Sequence, residues 1–169
     1  MNVSSVGTGI GRNSSRKKWN RMDRIINNES IVICSVLDAL NLDVNNIAEL
    51  YLYVVLSADK AIRDRLDSYN RYAEFVQKES AYYQALNRKF VEFQPIFLNA
   101  MTMLLLGGMI EKESGHEYNL TKEGSSMLED LHNKDNGVVN KVTSAVTGLV
   151  DLFGSKDVNS LYKDLKIVL

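Results

Sequence analysis

Residues 95–131 read PIFLNAMTMLLLGGMIEKESGHEYNLTKEGSSMLEDL, and this stretch decides the fold. Pro95 is suited to open a helix at its first turn, where its missing amide donor costs nothing. The helix predicted over residues 96–106 contains no charged residue, and the pair Gly107-Gly108 ends it. A helix without charge is expected to lie in the core, and the side chains expected to be buried there and in the following strand are Leu98, Met101, Leu105 and Ile110.

The second half of this stretch predicts a hairpin followed by a capped helix. Short apolar runs lie on either side of Ser114-Gly115, which is typical of two strands joined by a turn. Thr121 precedes a helical pattern over residues 122–131, and its hydroxyl is suited to cap that helix. Together these elements predict a mainly α protein, a helical domain with a small winged-helix-like β-hairpin.

The remainder of the chain has helical periodicity, with ambiguity in one place. Residues 30–42 combine helical spacing with β-branched side chains that favour a strand, and we predict a helix there. A polar break at residues 43–46 precedes a helix at 47–56. The apolar positions from Val138 to Phe153 predict another helix, and a short one follows near the end of the chain.

Residues 58–93 are predicted to form one long charged helix, with a possible bend near Ser68. Its apolar stripe and its many aromatic rings exceed what one small core needs, and tyrosine is favoured at interfaces. The alternative, that all these rings enter the domain's own core, stays equally open. The side chains predicted to bind a partner are Tyr69, Tyr72, Tyr82, Tyr83, Arg63 and Arg71.

The first 24 residues differ in composition from the rest. We interpret residues 1–24 as a flexible basic N-terminal arm, and residues 25–169 as a single helical domain with the winged-helix-like module at about 95–132. The arm's basic residues are expected either to be solvated or to touch nucleic acid without sequence preference. They are Arg12, Arg16, Lys17, Lys18, Arg21 and Arg24.

The sequence contains few residues in arrangements typical of a catalytic or metal-binding site. Its single cysteine, Cys34, lies in an apolar run and is expected to be a small buried hydrophobe. The two histidines, His116 and His132, occur in polar surroundings without further ligands near them in sequence. We therefore expect no enzymatic activity, no cofactor and no metal. With no membrane-spanning or signal-type segment, a cytoplasmic location is expected.

The residues from Leu104 to Glu111 and from Tyr118 to Gly124 show a resemblance to a known class of proteins. This pattern of an apolar helix, a glycine-led strand and Leu-Thr-x-x-Gly resembles the helix, wing and following helix of winged-helix proteins. More narrowly, residues 47–131, with paired tyrosines and Phe-Leu-Asn-Ala at 97–100, resemble the small middle component of three-component ABC-ATPase systems. That class includes the small subunit of Lamassu-type anti-phage systems.

The narrower resemblance implies a non-catalytic connector between an SMC/Rad50-like ATPase and an effector, often a nuclease. The alternative is a winged-helix transcriptional regulator, which would place the helix before the wing in the major groove. That helix has only Asn99 and Thr102 as polar side chains, and Glu111, Lys112, Glu113 and Glu117 make the wing acidic. Base edges and phosphates require the opposite character, so the connector is preferred.

Overall fold

The computed structural model describes residues 27–40, 46–115 and 117–168. This part of the chain is mainly helical, with one small antiparallel sheet, and the predicted fold class is confirmed. The basic arm and His116 lie outside the described residues. In chain order the elements are α1 (Asn28–Ala39), α2 (Ile47–Ala58), α3 (Lys60–Leu66), α4 (Tyr72–Ser80), α5 (Tyr83–Leu106), β1 (Ile110–Lys112), β2 (Tyr118–Leu120), α6 (Lys122–Asn133), α7 (Gly137–Phe153) and α8 (Val158–Asp164).

Short polar side chains begin most of these helices. Asn27 accepts the amide of Ser30, and Asn46 accepts the amide of Glu49, both at 2.8 Å. Each such cap satisfies an amide that has no partner inside its helix. The predicted break before residue 47 therefore ends in a working N-cap.

Helix α1 is buried on every side from Ser30 to Leu37. It packs against α2, α5, α6 and α7 and against strand β2. This central position explains why helix wins over strand at Ile31, Val32 and Ile33: β-branched side chains are readily tolerated in a helix that is packed all round. From α1 the apolar core continues without interruption to Ile167 near the end of the chain.

The prediction of one long helix over residues 58–93 is wrong, although its first break lies where a bend near Ser68 was expected. The chain instead forms α3, a turn, α4 and the start of α5. The turn begins where Ser68 donates through both its amide and its hydroxyl to the Arg65 carbonyl. It lets Phe75 become fully buried, with its ring edge-on to Tyr69 at 5.4 Å between centroids. A straight helix would hold Phe75 away from this core, so tertiary burial overrides the continuous stripe.

The hairpin forms as predicted. Strand β1 pairs antiparallel with β2, and Ile110 lies opposite Leu120. Gly108 takes a φ of +69° between α5 and the first strand, a conformation that suits glycine. Thr121 then caps α6 through the amide of Gly124 at 3.2 Å. Among the described residues, no helix is both long and apolar enough to cross a membrane.

Candidate protein-binding site

Helix α5 is the longest of the described helices and runs through Pro95 without ending. The prediction that Pro95 opens a new helix is therefore wrong. Pro95 cannot donate to the Val91 carbonyl, but both residues are exposed, so water can reach this carbonyl. On the inner face the two halves of α5 are held together by a single tyrosine of α2, Tyr51.

Tyr51 contacts α5 on both sides of the proline. Its ring lies edge-on to Phe90 at 5.4 Å and against Phe97 at 4.8 Å between centroids. Its hydroxyl donates to the Phe90 carbonyl. Because Phe90 and Phe97 are both buried, these contacts fix the inner face of α5 and leave its outer side to solvent.

The outer side of α5 is unusually apolar. The described residues include eleven exposed large hydrophobic side chains, and eight of them lie between residues 82 and 106. The eight are Tyr82, Tyr83, Val91, Ile96, Leu98, Met103, Leu105 and Leu106. Single exposed apolar residues are ordinary, whereas a concentration on one element marks an interaction surface.

Five of these eight exposed side chains form two stripes along α5. We call Val91, Leu98 and Leu105 the heptad flank, because they are seven residues apart and lie within about 40° of one another around the helix. We call Ile96 and Met103 the second flank, which lies about 150° away from the heptad flank. Leu106, the most exposed of the set at 73%, lies between them at the end of the helix.

The expected burial of residues 96–106 holds for only part of the helix. Met101 is buried and Ile110 in β1 is buried, but Leu98 and Leu105 are exposed by 47% and 38%. The physical reason is that the core reaches α5 from one side only, through Phe97, Ala100, Met101 and Leu104. The absence of charge on this helix therefore extends to its solvent-facing side as well as its core side.

The predicted partner-binding tyrosines separate into two pairs. The Tyr69 hydroxyl donates to Glu79 at 2.6 Å, and the Tyr72 hydroxyl donates to Asp164 at 2.8 Å. Both of these rings also contact phenylalanines of the core. Tyr82 and Tyr83, in contrast, are exposed by 57% and 40% at the start of α5. Of the four predicted tyrosines, only Tyr82 and Tyr83 are therefore exposed at the start of α5, where the Lys166 ammonium lies 5.6 Å from the centre of the Tyr83 ring.

The two predicted arginines lie away from α5. Arg63 donates to the carbonyls of Ser57 and Ala58 at 2.7 and 2.6 Å, which satisfies the end of α2. Arg71 is exposed and forms an ion pair with Glu74 at 2.9 Å. Both arginines therefore form their contacts within the segment from α2 to α4, and none of these contacts involves α5.

The buried ionisable groups have structural partners. Glu79 is almost fully buried, and both of its oxygens accept hydrogen bonds from Arg65 at 2.9 Å. This clamp joins α3 to α4. Burial raises the pKa of the Cys34 thiol to about 12, with a smaller contribution from Asp38, so the thiol stays protonated. Within the described ranges, no three His, Cys, Asp or Glu side chains lie where they could hold a metal ion.

An open groove of about 610 Å³ lies between α3 and α7. Its walls carry three cations and three anions, so no single sign of charge would attract a ligand. The charged residues are Lys60, Arg63, Lys141, Asp64, Asp67 and Asp151. The groove is therefore a weaker candidate for binding than the outer side of α5.

The site that sequence reasoning missed is the pair of exposed flanks on α5. The repeat of seven residues from Val91 to Leu105 was a signal that could have revealed the first of them. The sequence matches no protein-family model, and comparisons with curated proteins and with solved structures found no match.

Proposed function

We propose that this chain is a non-catalytic connector subunit that binds other proteins through the outer side of α5. In its finer form, the proposal makes it the accessory subunit of an SMC-like ATPase complex in bacterial anti-phage or anti-plasmid defence. There it would act in the cytoplasm and bridge the ATPase and an effector. The finer form rests on the resemblance of residues 47–131, and the coarser form rests on the surface of α5.

One observation supports the proposal most: the exposed apolar side chains of the described residues are concentrated on α5. Residues 95–106 carry no charge on any side, although eight of these twelve residues are exposed to solvent. A free-standing surface helix normally carries polar and charged residues on its outer side. An uncharged outer side is explained if a protein partner covers it, since the cores of interfaces are depleted of charge.

The same surface argues against the regulator. A recognition helix presents polar and basic side chains to base edges and phosphates, but the second half of α5 presents Ile96, Leu98, Leu105 and Leu106 to solvent. The hairpin that follows exposes Glu111 and Glu113. These aliphatic and acidic surfaces suit another protein better than DNA.

The test is co-purification with an SMC/Rad50-like ATPase that is co-expressed with this chain, using variants of the second flank. Ile96→Glu and Met103→Glu place a charge on a surface that a partner would desolvate. We expect each to reduce capture of the ATPase by at least tenfold, as for a residue at the centre of an interface. Val150→Glu is the matched control, because Val150 is exposed by 38% on α7, and its capture should match that of the unmodified chain.

Variants of the tyrosine pair extend the test along α5. Tyr82→Ala and Tyr83→Ala should weaken capture by on the order of tenfold or more if either ring is a central anchor. If the ATPase is captured equally by every α5 variant, the binding site is elsewhere. If no ATPase binds and the chain instead protects a promoter fragment, the connector proposal is wrong and the regulator replaces it.

A further inference from the structure

Residues 155–168, which we call the latch, consist of α8 and a short stretch on either side of it. Three large apolar side chains of the latch, those of Leu161, Leu165 and Ile167, are buried. Leu161 and Leu165 are four residues apart, so they lie on the same face of α8. Hydrogen bonds to α2, α4 and α5 then fasten the latch to the rest of the fold at three places.

Asn87 of α5 holds the end of the latch by its backbone. The side-chain amide of Asn87 donates to the Lys166 carbonyl at 2.8 Å, and its side-chain oxygen accepts the amide of Val168 at 2.8 Å. The Lys166 ammonium also lies over the Tyr83 ring of the same helix. Because one side chain satisfies both a donor and an acceptor of the latch backbone, removal of Asn87 would break both hydrogen bonds.

Tyr72 of α4 contacts the latch near its beginning and near its end. The Tyr72 hydroxyl donates to Asp164 at 2.8 Å, and the Lys156 ammonium lies 4.4 Å from the centre of the Tyr72 ring. From within the latch, the Tyr162 hydroxyl donates to the Ala48 carbonyl of α2 at 2.9 Å. The hydrogen bonds at Asn87, Tyr72 and Tyr162 therefore each depend on a single side chain rather than on a ladder of paired backbones.

The backbone has uncommon conformations at both ends of the latch. Gly154, immediately before it, has a φ of +57° and a ψ of −128°, which glycine alone adopts readily. Lys166 has a φ of +56°, a left-handed conformation that is unfavourable for a lysine. Gly154 is therefore suited to act as a hinge, and the strain at Lys166 is released when the contacts of the latch are broken.

We propose that the latch opens as a unit about Gly154 while the rest of the fold stays intact. A segment at the end of a chain detaches by rotation about one hinge, and such local openings cost less free energy than global unfolding. Opening uncovers Phe90 of α5, whose ring centroid lies 6.0 Å from that of Tyr162 in the closed latch. This conformational device goes beyond the connector function, because it requires no partner.

Hydrogen exchange of the full chain, followed residue by residue by NMR, tests the opening. The amides of Leu161, Leu165 and Ile167 are hydrogen-bonded in the closed latch. They should exchange together, about a hundredfold faster than the amides of α1, which is buried on every side and exchanges only on global unfolding. Equal protection of the latch and α1 would overturn the proposal. Exchange that slows steadily from Val168 back to Leu161 would show fraying of the chain end and would overturn it as well.

Two hydroxyl deletions then separate latch opening from global unfolding. Tyr72→Phe removes the hydrogen bond to Asp164, which exists only in the closed latch, and should speed exchange of the latch amides by about tenfold. Asn87→Ala should act in the same direction, because it also removes contacts that exist only in the closed latch. The matched control is Tyr69→Phe, since Tyr69 bonds Glu79 outside the latch and keeps this bond when the latch opens.

Tyr69→Phe should therefore leave the exchange of the latch amides unchanged, even though it speeds exchange of the α1 amides by destabilising the whole fold. If the latch exchanged only through global unfolding, Tyr69→Phe and Tyr72→Phe would speed its exchange alike, and that result would overturn the proposal. Circular dichroism of each variant checks that it remains folded.

Discussion

Gly124, in the first turn of α6, allows no side chain, and Gly124→Ala should destabilise the fold markedly. A Cβ added there would lie 2.1 Å from the Met109 carbonyl oxygen and 3.2 Å from Cδ2 of Leu120. Ordinary heavy-atom contacts lie at about 3.5–4.0 Å. Helix α6 would therefore have to move away from the backbone of Met109, which cannot rotate aside as a flexible side chain could.

The size of this destabilisation can be estimated from the contacts that the movement of α6 would break. Thr121 donates to the Met109 carbonyl through its amide at 3.0 Å, while its hydroxyl proton has its shorter contact with the Gly108 carbonyl at 2.6 Å. One lost hydrogen bond costs about 1 kcal/mol, and overpacking adds about 1–3 kcal/mol. Alanine's better helix propensity returns about 1 kcal/mol. The free energy of unfolding should fall by roughly 1–3 kcal/mol when these terms are combined.

The assay is urea unfolding followed by circular dichroism, with Gly148→Ala as the matched control. Gly148 lies inside α7, and the nearest atom to its added Cβ is Cδ1 of Leu66 at 4.0 Å. With room for a methyl group, that variant should be unchanged or stabilised by up to about 1 kcal/mol. Equal stability of Gly124→Ala and the unmodified chain would refute the tight approach of α6 to Met109. This approach gives a physical reason for glycine in the Leu-Thr-x-x-Gly pattern.

Three further predictions concern stability and reactivity. Leu104→Ala should cost about 2–5 kcal/mol as a buried large-to-small change, whereas Leu105→Ala should cost clearly less because Leu105 is exposed by 38%; equal costs in thermal unfolding would contradict the assigned face. Burial raises the pKa of Asp59, but hydrogen bonds from Lys89 and from the amides of Ile62 and Ala61 outweigh it and hold the pKa below its ordinary 3.8. The lowered pKa of Asp59 therefore stabilises the fold above pH 3.8, and this contribution is lost as the pH falls from there through the folded-state pKa, so Asp59→Asn should flatten the acid limb of a stability–pH curve. Cys34 should resist thiol reagents at neutral pH until the chain is unfolded, and rapid labelling of the native protein would show that α1 is less well packed than described.

The sequence predicted best those elements that local chemistry determines. The hairpin, the cap at Thr121 and the N-terminal boundary at Asn46 each depend on a few neighbouring residues, and all three are present. The prediction of one long helix over residues 58–93 was wrong for a different reason. The spacing of apolar residues suggested no more than a bend near Ser68, because it does not show a turn whose purpose is packing against distant parts of the chain. Phe75 reaches Phe153 in α7, 5.5 Å away between ring centroids, only because the chain turns between α3 and α4.

The misjudged face of α5 is a different kind of failure. An uncharged run such as residues 95–106 indicates that its side chains are to be covered by another surface. Burial of each large side chain contributes about 1.5–3 kcal/mol, whether the covering surface belongs to the same chain or to another. The run itself does not indicate which chain supplies the covering surface. Phe97 and Leu104 are protected by the chain's own core, while Leu98 and Leu105 are not. If a partner covers the outer side of α5, as we propose, the sequence of α5 describes the assembled complex, and only the inner face can be understood from the isolated chain.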